Sequence, residues 1–216
     1  MRLILVRHGL SEGNERSLIQ GHADYPLVDE GHRQATLIAQ RLAQERIDHI
    51  YSSDLTRAKQ TAEPIIRRHP KVRVSYEPRL RERHYGAFEN RSKPDVIARG
   101  AAQIGTWIAP PGGEHIHAFT ERVTNMLDRL YAQHQGETVL VVSHSGVLTR
   151  FLLTLAGASD DEYASYRPHN ASVSIIEFDT EKNHAVHLQN CTNHLRDTTC
   201  AIHREHSPRP DRSRSQ

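Results

Sequence analysis

Two histidines sit at matching places in this sequence. Leu3-Ile4-Leu5-Val6 runs into Arg7-His8-Gly9, with Ser11 and Asn14 close behind, and Val139 to Val142 runs into Ser143-His144-Ser145-Gly146. In each case a short, wholly apolar run ends in a histidine and a glycine turn. An Arg and a His at the end of a buried strand suit an anion, above all a phosphoryl group, because guanidinium and imidazole donors match its oxygens. The turn after Ser143 also aims backbone N–H groups from a helix N-terminus at a bound anion. Arg57 lies in the first turn of another expected helix. A cation there opposes the helix dipole, so helix stability does not explain it. A solvated arginine and a polar turn remain the plain alternatives for each feature alone. Two histidines in one arrangement, joined by two arginines, weigh towards a site.

These residues need elements to bring them together. The apolar runs read as strands buried on both faces. Ile47–Tyr51 and Val72–Tyr76 read as two more, and Ser172–Phe178 with Ala185–Leu188 as a final antiparallel edge pair. Apolar spacing of three and four predicts helices with Ala35, Ile38, Ala39 and Leu42 on one face, then Leu55, Ala58, Ala62 and Ile65, then Phe119, Val123, Met126 and Leu130. Asp29 and Asp54 read as N-caps of the first two. A short helix is predicted over Asp95–Ala102, and another over Val147–Leu155. Gln20-Gly21 falls in a polar loop. Alternation of strands and helices argues a three-layer α/β/α fold, its sheet mostly parallel with one antiparallel edge strand. Ligands of such sheets bind beyond the carboxyl ends of the strands.

Composition narrows the function classes. The 216 residues suit one domain, read as residues 1–206, followed by a basic tail at 207–216 made of Ser, Pro, Arg, Asp and Gln. With 28 Lys and Arg against 26 Asp and Glu, the net charge of +2 gives no field that would draw nucleic acid or membrane. Two cysteines do not make a disulfide framework. The first strand begins at once, so no signal peptide is expected, and a reduced cytoplasmic protein is. Cys191, His194, Cys200 and His203 have a spacing that could hold zinc, but a plain loop is the preferred reading. His115 and His117 are read as loop or pocket-rim residues.

The motifs together resemble the histidine phosphatase superfamily, which includes the cofactor-dependent phosphoglycerate mutases. Arg7-His8-Gly9 with Ser11 and Asn14 is similar to the family signature. Leu27 to Ala35, Ser52 to Ala58 with Gln60-Thr61-Ala62, Leu80-Arg81-Glu82 with Gly86, Pro111 to Glu114, and Ser143 to Gly146 follow in the family's order. The resemblance implies His8 as nucleophile, Arg7, Arg57 and His144 as holders of the phosphoryl oxygens, and Glu82 as general acid. It implies Asn14, Gln20, Gly21 and Ser145 as further pocket contacts. Tyr85 and Lys93 resemble mutase residues that hold a substrate carboxylate. The segment from Glu82 to Glu114 is shorter than in mutases and lacks their arginine pair, which resembles the phosphatase branch. The expected function is hydrolysis of small phosphorylated metabolites through a phosphohistidine. A phosphoglycerate mutase and an inactive phospho-ligand binding module are the alternatives. The expected partner is a small-molecule phosphate ester, with no cofactor, metal, nucleic acid or membrane; a homodimer stays open.

Overall fold

The computed structural model describes residues 1–98 and 110–196. In chain order they form β1 (Arg2–Arg7), α1 (Glu12–Glu15), α2 (Asp29–Arg41), β2 (His49–Ser52), α3 (Thr56–Arg68), β3 (Arg73–Tyr76), α4 (Lys93–Ala98), α5 (Ile116–Gln133), β4 (Thr138–Ser143), α6 (Ser145–Ala156), β5 (Val173–Phe178) and β6 (His184–Cys191), with short 3-10 turns between some of them. The six strands make one sheet in the order β3-β2-β4-β1-β5-β6. β3, β2, β4 and β1 pair in parallel, whereas β5 runs antiparallel to both β1 and β6. The expected antiparallel edge pair is therefore present, and its reversed strand is β5, one place in from the edge.

Alternation along the central strands builds the two helical layers. Leu3 and Leu5 of β1 and Val139 and Val141 of β4 face Phe119, Val123, Met126 and Leu127 of α5 and Phe151 of α6. Ile4, Val6, Leu140 and Val142 face the other way, onto Ile38 of α2, Leu42 just past its end, and Ala58, Ala62 and Ile65 of α3. Both faces of β1 and β4 are covered, which is why these strands read as unbroken apolar runs.

Register then decides where the histidines fall. Arg2 to Arg7 pair residue by residue with Thr138 to Ser143, so Arg7 lies opposite Ser143 and the next residues are His8 and His144. The bond from His8 N–H to Ser143 O, 3.0 Å long, continues the ladder one step beyond the strand.

The helix starts differ from the expected caps. Val28 is the N-cap of α2 and makes no side-chain capping bond. Asp29 is instead the first helical residue, where its charge suits the dipole. Leu55 is the N-cap of α3. Its first N–H, that of Thr56, is taken by Asp24 at 2.7 Å, and the Thr56 hydroxyl by the same carboxylate at 2.6 Å. Asp54 is engaged elsewhere, in a two-pronged pair with Arg81. A carboxylate distant in sequence has replaced the local cap because the Asp24 loop must dock on this helix mouth to complete the site. α6 starts at Ser145, two residues before its predicted start, because His144 is the N-cap. The predicted helix over Asp95–Ala102 begins earlier, at Lys93; its last residues, the tail from 207, Cys200 and His203 lie outside the described residues.

Candidate active site

At the carboxyl ends of β1, β2 and β4 lies a cavity of about 150 Å³. Arg7, His8, Arg57, Glu82, Ser145 and Gly146 line its floor together with Asn14, Gln20 and Gly21, while Leu18, Ile19, Tyr85, Tyr163 and Arg167 complete the wall. Its volume is below the range of pockets for drug-sized ligands, roughly 300 Å³ and up.

His8 is buried, 3% exposed. Its Nδ1 lies 2.8 Å from Gly9 O. A carbonyl only accepts, so Nδ1 carries the proton and Nε2 keeps its lone pair. Burial first, then the Arg57 and Arg7 charges, hold the imidazole well below its usual pKa of 6.5. A neutral ring with a free Nε2 is a nucleophile at neutral pH. The close turn beneath it needs Gly9 and Gly31 together: a Cβ on Gly9 would stand 2.7 Å from Gly31 O.

Arg57 is 1% exposed. Removing a guanidinium from water costs several kcal/mol unless its donors are met. Nη2 donates to Gly21 O at 2.8 Å, Nη1 to Ala23 O at 3.0 Å, and Nε to His144 Nδ1 at 3.1 Å. His144 must then carry its proton on Nε2, which donates to Ser53 Oγ at 2.8 Å. Burial, followed by Arg57 and His8, also keeps His144 well below 6.5. The His144 ring centroid is 5.1 Å from that of His8, yet His144 does not line the cavity, and both its nitrogens serve Arg57 and Ser53. It fixes the Arg57 fork from behind.

Arg7 is oriented by one bond, Nη1 to Pro168 O at 2.8 Å. Among the described residues, its buried Nε has no partner, and neither has the Ser145 hydroxyl. A buried donor left unsatisfied costs about 1–3 kcal/mol. Both groups belong to residues that line the cavity.

Among the described residues, Glu82 is held by backbone N–H groups alone. Its Oε1 accepts the Arg83 N–H and its Oε2 the Gly146 N–H, each at 2.9 Å. Gly146 allows that approach, since a Cβ there would lie 2.2 Å from Glu82 Oε1. The chain carrying Glu82 is braced by Arg122, which grips Glu114 through two 2.8 Å bonds and donates to the Arg79 and Arg81 carbonyls. His22 Nε2 lies 2.9 Å from Glu82 O and, as its only possible role against a carbonyl, donates to it.

Of the other sequence-predicted contacts, Asn14, Gln20, Gly21, Tyr85 and Ser145 all reach the cavity wall. The Ser11 hydroxyl lies 2.9 Å from both Asn14 Oδ1 and Gln20 Oε1, and its single proton is donated to one of the two oxygens. Lys93 opens α4, and its side chain lies outside the described residues. Sequence reasoning missed the segment after α6. Tyr163 and Arg167 line the cavity, Pro168 holds Arg7, and Asn170 Nδ2 donates to His8 O at 3.1 Å, Gly9 O at 3.2 Å and Asn14 Oδ1 at 3.0 Å. The only signal was a polar stretch between a helix and a strand, with no pattern to distinguish it from a surface loop.

Arg41 Nη1 lies 3.4 Å from Cys191 Sγ and 2.9 Å from His194 Nδ1. A guanidinium between the two groups repels a metal cation. No cluster of three or more His, Cys, Asp or Glu able to hold a metal occurs among the described residues, and no helix among them is long and apolar enough to cross a membrane.

The histidine phosphatase superfamily (branch 1) family model matches residues 3–191. Phosphoserine phosphatase 1 of Hydrogenobacter thermophilus is 33% identical over 201 residues, covering 90% of this chain and 94% of that protein. Phosphoglycerate mutase-like protein 4 of Arabidopsis thaliana is 36% identical over 154 residues, covering 68% of this chain and 67% of that protein. Among solved structures, a mycobacterial glucosyl-3-phosphoglycerate phosphatase in complex with VO3 superposes with a TM-score of 0.79 at 26% identity, covering 88% of this chain and 99% of that one.

Proposed function

The chain belongs to the histidine phosphatase superfamily and is a phosphomonoesterase of that family; from that premise we propose that His8 carries the phosphoryl group and that Glu82 moves the protons. The observation that carries this reading is the meeting, in one cavity, of a neutral His8 with a free Nε2 and the partnerless donors of Arg7 and Ser145. The ester's phosphoryl oxygens take those donors and the Arg57 charge. His8 Nε2 attacks phosphorus in line, the bond to the ester oxygen breaks, and Glu82 gives that oxygen its proton. Water then attacks the phosphohistidine, its proton returns to Glu82, and the P–N bond breaks to release inorganic phosphate.

The stabilisation is electrostatic and pre-set. Arg57 is locked by three bonds before substrate arrives, so little reorganisation accompanies the transition state. The substrate class is small phosphorylated metabolites of the sugar- or glycerate-phosphate kind. A phosphate-release screen over such metabolites tests the reading. With 3-phosphoglycerate as substrate and 2,3-bisphosphoglycerate as primer, phosphate release outpaces formation of 2-phosphoglycerate; the reverse order means that a mutase reaction dominates.

A further inference from the structure

Arg167 stands apart from the other arginines of this region. Arg7, Arg57, Arg81, Arg122 and Arg150 each hold a carbonyl, an imidazole or a carboxylate. Arg167 lines the cavity, is exposed at its mouth, and has no carboxylate within ion-pair distance among the described residues. It is nevertheless near enough to Arg7 for the two charges to oppose each other, since Arg167 helps push the Arg7 guanidinium down to about 10, after burial. Pro168, the next residue, is the one that holds Arg7 in place.

The charges lining the cavity do not cancel. Arg7, Arg57 and Arg167 face one carboxylate, Glu82. Once Glu82 carries the proton it must donate, three positive charges remain. A phosphate monoester brings about two negative charges at neutral pH. One cation is left over, and it is the one farthest out. Two phenols share the wall with it. Burial, then Glu82, raise Tyr163 to about 12 and Tyr85 well above 10, so both stay protonated and can donate. Leu18 and Ile19 supply apolar wall to the same cavity.

Resting on the phosphatase reading, we propose that Arg167 is a specificity-determining residue that binds a second anionic group on the leaving-group side of the substrate, with the Tyr163 and Tyr85 hydroxyls beside it. The preferred substrates are thus phosphomonoesters whose alcohol carries its own carboxylate or second phosphate, over esters of the same alcohol without it.

The test compares wild type with Arg167→Ala and Arg167→Lys on matched pairs. O-phosphoserine against O-phosphoethanolamine differs by a carboxylate, and fructose 1,6-bisphosphate against fructose 6-phosphate by a second phosphate. p-Nitrophenyl phosphate is the common reference. Wild type favours the doubly anionic member of at least one pair, and which pair responds tells carboxylate from phosphate. Arg167→Ala removes that preference by about 10- to 100-fold in kcat/KM, as for a hydrogen bond to a charged group, mainly through KM. Arg167→Lys restores part of it, and the loss on p-nitrophenyl phosphate, which has no second anion, is smaller than the loss on the doubly anionic member of the pair. No preference in wild type for either pair, or equal loss on both members of a pair, overturns the assignment. Failure of wild type to hydrolyse p-nitrophenyl phosphate at all would instead count against the phosphatase reading.

Discussion

Arg57 Nε donates to His144 Nδ1 across 3.1 Å, and that one bond sets the protonation of the second histidine. With Nδ1 occupied, the His144 proton sits on Nε2 and is donated to Ser53 Oγ. The N-cap histidine of α6 and Arg57 in the first turn of α3 are therefore joined to each other, with the His144 ring centroid 5.1 Å from that of His8.

A lysine cannot replace that fork. Its ammonium is a point charge and cannot serve His144, Gly21 and Ala23 from a planar frame. Arg57→Lys is expected to lower kcat/KM for an aryl phosphate by at least about tenfold, since each lost hydrogen bond to a charged group is worth roughly 1.5–3 kcal/mol. Steady-state kinetics measure this, and wild-type kcat/KM in the variant would show that charge alone suffices.

Glu82 and Gly146 form a second dependent pair. Gly146→Ala places a methyl 2.2 Å from Glu82 Oε1, and the flexible carboxylate moves while the helix stays. The expected result is a folded protein that behaves like Glu82→Gln. Both variants lose most activity on alkyl phosphates, whose leaving oxygen needs a proton, and much less on p-nitrophenyl phosphate. Equal losses on the two classes, read from the rate of phosphoenzyme formation, would remove Glu82 from the proton-transfer role.

Much of this was legible before the structure. The apolar runs of β1 and β4 announced strands buried on both faces, and their ends carried His8 and His144. Sequence could not show that Arg7 and Ser143 share a register position, which is what makes the histidines neighbours. The Asp54 cap failed for a related reason: local propensity names a capping residue, but tertiary docking brought Asp24 to the helix mouth and gave Asp54 to Arg81. The Tyr163 to Asn170 segment was silent because its function lies in side chains folding back over β1, which no periodicity records.

Asn170 tests that silent segment. Its amide bonds the carbonyls of His8 and Gly9 and the Asn14 side chain. Asn170→Ala is expected to lower kcat about tenfold, the loss of roughly one net hydrogen bond or more at the His8 turn, with phosphate affinity changed less. Comparing kcat with the inhibition constant for inorganic phosphate checks it; equal losses in both would mean that the whole cavity has collapsed.

Stability follows pH through the histidines. Burial holds His8, His144, His22 and His49 below 6.5, and takes His194 to about 4 with the help of Arg41. Below about 6.5 the unfolded chain takes up protons that the folded chain refuses, so stability rises with pH across this window. It is fully present above the unfolded pKa and is lost as pH falls towards the folded values. Tm is expected to drop between pH 7 and 5, and the slope to be shallower in His194→Gln. Differential scanning calorimetry at several pH values measures both, and a Tm constant across that range would contradict neutral, buried histidines.

The most direct test of the mechanism is to catch the phosphorylated protein. Rapid acid-free quench during turnover, followed by peptide mapping and 31P NMR, is expected to find one acid-labile phosphoryl group, on Nε2 of His8, because Nδ1 is engaged by Gly9 O at 2.8 Å. His8→Ala should form none and should turn over no substrate. A phosphoryl group on any other residue, or near wild-type turnover in His8→Ala, would contradict the central claim.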